Sequence, residues 1–77
     1  MHSKEEYIGI VLSQIQHPGL KSVVDKQLRE KIDEMLQDQY LSDLPEERSI
    51  RAVLAEMGDP VKLGQYYLWL YNLVDLS

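Results

Sequence analysis

The sequence has no cysteine and no phenylalanine, and it holds a single tryptophan. Without cysteine the chain has no disulfide, no thiolate metal site and no cysteine nucleophile, which fits a reducing compartment. No stretch reaches the about 18 to 20 apolar residues of a membrane-spanning helix. The first residues, MHSKEEY, lack the basic and apolar segments of a signal peptide. We therefore expect a soluble, cytoplasmic chain.

The charge of the chain is negative and unevenly distributed. The formal net charge is −5; residues 1–59 hold seven Lys and Arg against twelve Asp and Glu, whereas residues 60–77 hold only Lys62 and Asp75. Nucleic-acid binding depends on cations that neutralise phosphates, and adsorption to anionic lipid depends on a polybasic cluster. The composition argues against both, so we expect no nucleic-acid partner and no direct membrane contact.

Seventy-seven residues predict a single domain over residues 1–77. Ser3 followed by Glu6 is a capping box, and the apolar residues behind it recur at helical spacing. We expect helix one over about 4–17, ended by Pro18 and Gly19. A second box, Ser22 with Asp25, predicts helix two over about 22–41. The two apolar faces consist of Tyr7, Ile8, Val11, Leu12 and Ile15, and of Val24, Leu28, Ile32, Met35 or Leu36 and Tyr40.

The segment SDLPEERSIRAVLAEMGDP predicts a third helix and a tight turn. Ser42 or Asp43 is the expected cap, Pro45 suits the first turn, and the helix covers about 45–57. Its apolar face consists of Ile50, Val53, Leu54 and Met57. Gly58 suits a left-handed cap, and Asp59 and Pro60 are an N-cap and a first helical residue in succession. This structural turn, Gly58, Asp59 and Pro60, should start a fourth helix at once, over about 60–74.

The fourth helix is apolar or aromatic on nearly every side. A helix of this kind is normally buried, yet three other helices of a small domain cover only one or two of its faces. The chain shows no strand pattern and no repeat. The sequence therefore predicts an all-α fold, a compact bundle of three to four helices with a tight Gly-Asp-Pro helix-helix turn.

Few residues offer chemistry. His2 and His17 have no second ligand at helical spacing, so we expect no metal site and interpret His17 as an exposed histidine at the end of helix one. The carboxylate pairs Asp33 with Glu34 and Glu46 with Glu47 fall on solvent-facing sides of helices or in a first helical turn. There we expect them to be hydrated or to cap the helix, and not to act as a general acid and base. No serine has a neighbouring base. We expect no catalytic residue, no cofactor and no enzyme activity.

Predicted helices three and four, joined by the Gly58-Asp59-Pro60 turn, also resemble a helix-turn-helix unit in outline. A recognition helix reads base edges with Arg, Lys, Asn or Gln. Here it would offer Lys62, Gln65 and Asn72 among tyrosines and leucines. This surface does not suit DNA.

The aromatic residues of helix four have two interpretations. Leu63, Tyr67 and Leu70 share one helical stripe and are expected to pack on the core. For Trp69, Leu68 and Tyr71 on the other sides, two positions are open: the core, or an interface with a partner, a second copy or the membrane boundary, because Trp and Tyr are enriched at such interfaces. The predicted partner-binding residues are Tyr66, Leu68, Trp69, Tyr71 and Leu73.

The order of these features resembles the HTH-associated α-helical signalling domain, also called the permease prefix domain. The resemblance covers roughly residues 6 to 66, through LREKIDEML in the long helix and then PEERSIRAVLAEMGDP followed by VKLG. Gln27 and Lys31 stand where the family commonly has Glu and His, and Ser49, Val53 and Gly64 stand where Ala is usual. Gly64 keeps a small residue, which indicates a close helix approach. The matching positions are Leu28, Ile32, Met57, Gly58, Asp59, Pro60 and Leu63.

Members of this family are usually cytosolic N-terminal domains in front of transmembrane helices, often associated with PadR-like transcription regulators. The resemblance implies a non-enzymatic interaction or signalling domain, the cytosolic regulatory module of a bacterial membrane protein at the inner face of the membrane. It would dock through the last helix onto a protein partner, a second copy or the rest of its own chain. The alternative is a small free-standing intracellular regulator that binds a PadR-like transcription factor.

Overall fold

Four α-helices make up the part of the chain that the computed structural model describes, residues 3–37 and 43–75. They are α1 (Lys4–Ser13), α2 (Pro18–Leu36), α3 (Glu46–Met57) and α4 (Pro60–Asp75). The described residues include no β-strand. The prediction of an all-α bundle is confirmed.

Helix α1 begins at the predicted cap and ends earlier than predicted. The Ser3 hydroxyl accepts a hydrogen bond from the Glu6 backbone N–H at 3.2 Å, and it lies 3.2 Å from the Glu6 carboxylate, to which it donates. The helix ends at Ser13, not near residue 17, and the N–H of Gln14 bonds the carbonyls of Val11 and Leu12. Residues 14–17 therefore form a connection in which Ile15 still reaches the core.

Helix α2 starts at Pro18, so the prediction that helix two starts at about residue 22 with a Ser22–Asp25 capping box is wrong. His17 is the N-cap, and its Nδ1 accepts from the Leu20 N–H at 3.2 Å. Proline is favoured at the first helical position because its missing N–H would have no partner there. Ser22 lies inside the helix. His17 is thus at the start of α2 and not at the end of α1.

The far end of α2 and the start of α3 also differ from the prediction. Helix α2 ends at Leu36, with Gln37 as its C-cap; Tyr40 and Ser42 lie outside the described residues. The N-cap of α3 is Pro45, whose carbonyl accepts from the N–H groups of Arg48 and Ser49. Proline has no side-chain acceptor, so no side chain caps this helix. Asp43, one of the two expected caps, is exposed and lies before it.

The Gly-Asp-Pro turn is present as predicted, but Gly58 does not adopt the left-handed helical conformation expected of its cap. Gly58 has φ 87° and ψ −157°, a region open almost only to glycine, and it is the one residue with positive φ in the described chain. The Asp59 carboxylate accepts from the Val61 N–H at 2.9 Å and caps α4, which begins at Pro60. One helix therefore ends and the next begins within two residues.

The buried core comes from α1, α2, α3 and the connection after α1. Each contributing stripe matches an apolar face that the spacing predicts. Leu12, Met35, Ile50 and Met57 from those faces are partly buried against it. The core residues are Tyr7, Ile8, Val11, Ile15, Val24, Leu28, Ile32, Val53 and Leu54.

Ion pairs join α1 to α2 along their exposed edge. The Arg29 guanidinium binds Glu5 in a bidentate arrangement, at 2.8 and 3.0 Å, and its Nε bonds Asp25 at 3.0 Å. Lys4 reaches Asp33 at 3.3 Å. The start of α1 thus lies beside the second half of α2, which makes the two helices antiparallel.

Helix α4 packs chiefly on α1, and the two helices run parallel. The contacts along the pair advance in the same direction in both segments: Tyr7 with Gly58, which precedes α4; Val11 with Gly64; and His17, which follows α1, with Tyr71. A parallel pair needs a long connection, which α2 and α3 supply. The arrangement leaves the side of α4 opposite α1 without a neighbouring helix in the described chain.

Candidate functional site

The exposed side of α4 is the candidate site. Three large side chains on it are about half exposed: Trp69 at 58%, Tyr66 at 52% and Leu73 at 52%. With Lys62, which is also exposed, they are spaced by four, three and four residues and so lie along one side of the helix. We call Lys62, Tyr66, Trp69 and Leu73 the α4 stripe.

Aromatic contacts hold the centre of the stripe in place. The rings of Tyr66 and Trp69 are stacked, with centroids 6.2 Å apart and planes 26° apart. Tyr66 also makes an edge contact with Tyr67, at 6.1 Å and 61°. Since Tyr67 packs against the core, this chain of rings connects the exposed Trp69 to the interior. A surface whose side chains are already ordered loses less entropy when a partner covers it.

The opposite side of α4 meets the domain. Among the α4 residues whose burial is described, Gly64 alone is fully buried. A Cβ on Gly64 would lie 2.5 Å from the Val11 carbonyl oxygen and 2.6 Å from a Gln14 side-chain carbon. The expectation of a close helix approach at Gly64 is confirmed.

The stripe expected to close the domain is covered only in part. Leu63 and Tyr67 are half-buried against the core, and Leu70 is half-buried. Of the five predicted partner-binding residues, Leu68 and Tyr71 are half-buried, and the helical period places them on the side of α4 away from the α4 stripe, near Gly64. The centroid of the Tyr71 ring lies 5.3 Å from that of the His17 ring. The structure therefore separates the predicted set into three exposed residues and two on the side of α4 that meets the domain.

The tyrosines beneath the stripe are neutral phenols at neutral pH. Burial raises the pKa of Tyr67, and the nearby Tyr66 adds to the shift. Burial also raises the pKa of Tyr7, with further contributions from the Asp59 carboxylate and Tyr67. Both rings pack, the Tyr7 hydroxyl donates a hydrogen bond to the Gly58 carbonyl, and neither group offers a base.

The other residues considered for chemistry are dispersed. Within residues 3–37 and 43–75, no group of three or more His, Asp and Glu side chains is placed to share a metal ion. His17 is occupied in capping α2, and His2 lies outside the described residues. The carboxylates of Asp33, Glu34, Glu46 and Glu47 are all on exposed residues. Lys62, Gln65 and Asn72, the polar residues considered for DNA, are also exposed and lie among the apolar residues of α4.

Two tertiary contacts escaped the sequence reasoning. The Tyr7 hydroxyl donates to the Gly58 carbonyl at 2.8 Å, and the ring of His17, the N-cap of α2, lies against the ring of Tyr71 on α4. Nothing in the local pattern marks either contact, because the partners lie more than 50 positions apart in the sequence. A signal for the position of His17 was present: Pro18 after a residue with a side-chain acceptor is the signature of an N-cap and first helical position.

Comparisons with known proteins return no family. No protein-family model, no curated protein sequence and no solved structure matches this chain. In the part of the chain that is described, none of the four helices combines the length and the apolar character that crossing a membrane requires.

Proposed function

We propose that this chain is a non-enzymatic protein-interaction domain that docks through the α4 stripe. The observation that carries the proposal is the half exposure of Tyr66, Trp69 and Leu73 along one side of a helix whose other side is seated on α1. Tryptophan and tyrosine are enriched among the residues that dominate binding energy at interfaces. A helix presenting anchors at this spacing suits a groove or a second helix.

The resemblance to the HTH-associated α-helical signalling domain supports a finer proposal. In that role the chain acts as the cytosolic regulatory module of a membrane protein, and binding at α4 passes a signal to or from the membrane part. The Met57–Pro60 turn and Leu63 carry the resemblance most specifically. The turn has a plain structural function in this chain, since it sets where α4 begins and which side of α4 meets α1.

Photo-crosslinking in the cells that make the protein tests the docking function. A photoreactive phenylalanine analogue at Leu73 lies on the α4 stripe, and the same analogue at Val23 is the matched control. Val23 is an apolar residue of α2 that is 51% exposed, against 52% for Leu73. We expect discrete protein adducts from position 73 and none of the same mass from position 23. Absence of any adduct specific to position 73 would contradict docking through α4.

A further inference from the structure

We propose that the α4 stripe binds the α4 stripe of a second copy of this chain, with the two helices antiparallel, in a weak symmetric dimer. The proposal rests on the docking function above and names its partner. It follows from the charge, the spacing and the extent of the stripe.

The charge distribution favours self-association at α4 over any other face. Two copies of a chain with net charge −5 repel each other. The whole excess of negative charge belongs to residues 1–59, whereas residues 60–77 hold one positive and one negative residue, Lys62 and Asp75. A second copy therefore meets the least repulsion when it approaches across α4.

The position of Lys62 selects the orientation. Lys62 is in the first turn of α4. In an antiparallel pair that sets Tyr66 against Leu73 of the second copy, Lys62 lies beside the C-terminal end of the second α4. That end is negative through the helix dipole. A parallel pair would instead bring the two Lys62 residues together.

The spacing of the stripe suits a helix pair. Residues spaced by four, three and four keep to the side of a helix that faces a partner in left-handed helix pairing. Trp69 lies three residues after Tyr66 and four before Leu73, so the two-fold axis of the antiparallel pair passes next to Trp69 in both copies. The same patch then serves both partners, as a symmetric dimer requires.

The extent of the stripe makes the dimer weak. Helix α4 has 16 residues and so is about 24 Å long. Stable complexes bury about 800 Å² on each partner, whereas three half-exposed side chains supply less, since a whole aromatic side chain buries about 150 to 250 Å². We expect a dissociation constant of about 10 μM to 1 mM for the dimer.

Sedimentation velocity on the full 77-residue chain tests the proposal, from about 10 μM to 1 mM, at a salt concentration near 0.15 M. We expect the mass to rise from 9.0 kDa towards twice that value. Trp69 is the single tryptophan, so its fluorescence reports on the stripe alone. Its emission should shift to shorter wavelength with the same midpoint, as a second copy covers the ring.

Two charge reversals test the orientation. Lys62→Glu should raise the dissociation constant at least about tenfold, because it replaces attraction to the end of the second helix by repulsion. Lys26→Glu makes the same change of net charge on an exposed residue of α2 and should have a smaller effect. Circular dichroism establishes that both variants are helical, and Lys62→Gln is the milder substitution if the reversal disturbs α4.

Three results would overturn the proposal: a monomer at every concentration, a dimer that forms without a shift in Trp69 emission, and equal effects of the two reversals. The docking function is judged separately, by the adduct formed at position 73. An adduct that contains only a different protein supports docking through α4 and rejects the second copy as its occupant.

Discussion

The Tyr7 hydroxyl donates a 2.8 Å hydrogen bond to the carbonyl oxygen of Gly58. Tyr7 is a buried residue of α1, and Gly58 is the positive-φ residue that ends α3. The bond therefore fixes the turn from which α4 starts onto the helix against which α4 packs. Through this contact the core sets the position of the α4 stripe.

Tyr7→Phe should lower the free energy of unfolding by about 1 kcal/mol, because it removes this hydrogen bond while keeping the buried ring. Urea denaturation measures the change. Tyr66→Phe is the matched control, since Tyr66 is 52% exposed, and it should stay within about 0.5 kcal/mol of the wild type. Equal effects of the two substitutions would show that the bond to Gly58 contributes nothing measurable.

Gly64→Ala and Gly9→Ala should change stability in opposite directions. A methyl group at position 64 meets the backbone oxygen of Val11, so α1 and α4 must move apart, at a cost of about 1 to 3 kcal/mol. A methyl group at position 9 meets nothing within 4 Å, and the better helix propensity of alanine should add about 0.5 to 1 kcal/mol. Thermal unfolding of both variants measures this contrast. A stabilised Gly64→Ala would mean that the helices separate freely.

Trp69→Ala should cost less than about 1 kcal/mol of stability, because most of the side chain already contacts solvent. Leu28→Ala, at a position with no exposed surface, should cost about 2 to 5 kcal/mol. Chemical denaturation at a protein concentration below about 10 μM keeps the measurement on the monomer. A loss of 3 kcal/mol or more at Trp69 would assign it to the core.

Glu5→Gln should make the free energy of unfolding depend less on pH in the acid range. The hydrogen bond from Arg29 lowers the pKa of Glu5 below its ordinary value of 4.5. A lowered folded-state pKa means that the unfolded chain binds the proton more readily, so this stabilisation is complete above about pH 4.5 and is lost as the pH falls through the folded pKa. Urea midpoints at several pH values between about 2.5 and 6 should fall less steeply for the variant.

Glu30→Gln is the control for this pH series, because Glu30 is an exposed carboxylate on α2. The variant removes one carboxylate and leaves both partners of Arg29, Glu5 and Asp25, in place. If Glu5→Gln has the same pH dependence as this control, the ion pair seen between α1 and α2 does not contribute to stability in solution.

The helices themselves could be predicted from the sequence because local signals specify them. Ser3, Asp59 and Pro60 act through neighbours within a few residues, and the apolar stripes of α1, α2 and α3 match the buried core. The prediction failed at Pro18, where one residue type both ends and begins helices. Here Pro18 begins a helix because the His17 ring accepts a hydrogen bond from the Leu20 N–H and so caps α2. That bond depends on the orientation of the His17 ring, which the spacing of residues in the sequence does not reveal.

The orientation of α4 could be predicted only in part, for a physical reason. Helices α2 and α3 each have a charged side, so amphipathic spacing by itself determined which of their residues are buried. Helix α4 is apolar on nearly every side; the spacing of Leu63, Tyr67 and Leu70 indicated the side that packs, but it left open whether Trp69 is buried as well. The close approach of Gly64 to Val11 and the Tyr7 bond to Gly58 decided it. Only the tertiary structure therefore decided that Trp69 faces outward, because that outcome depends on contacts between residues far apart in the chain.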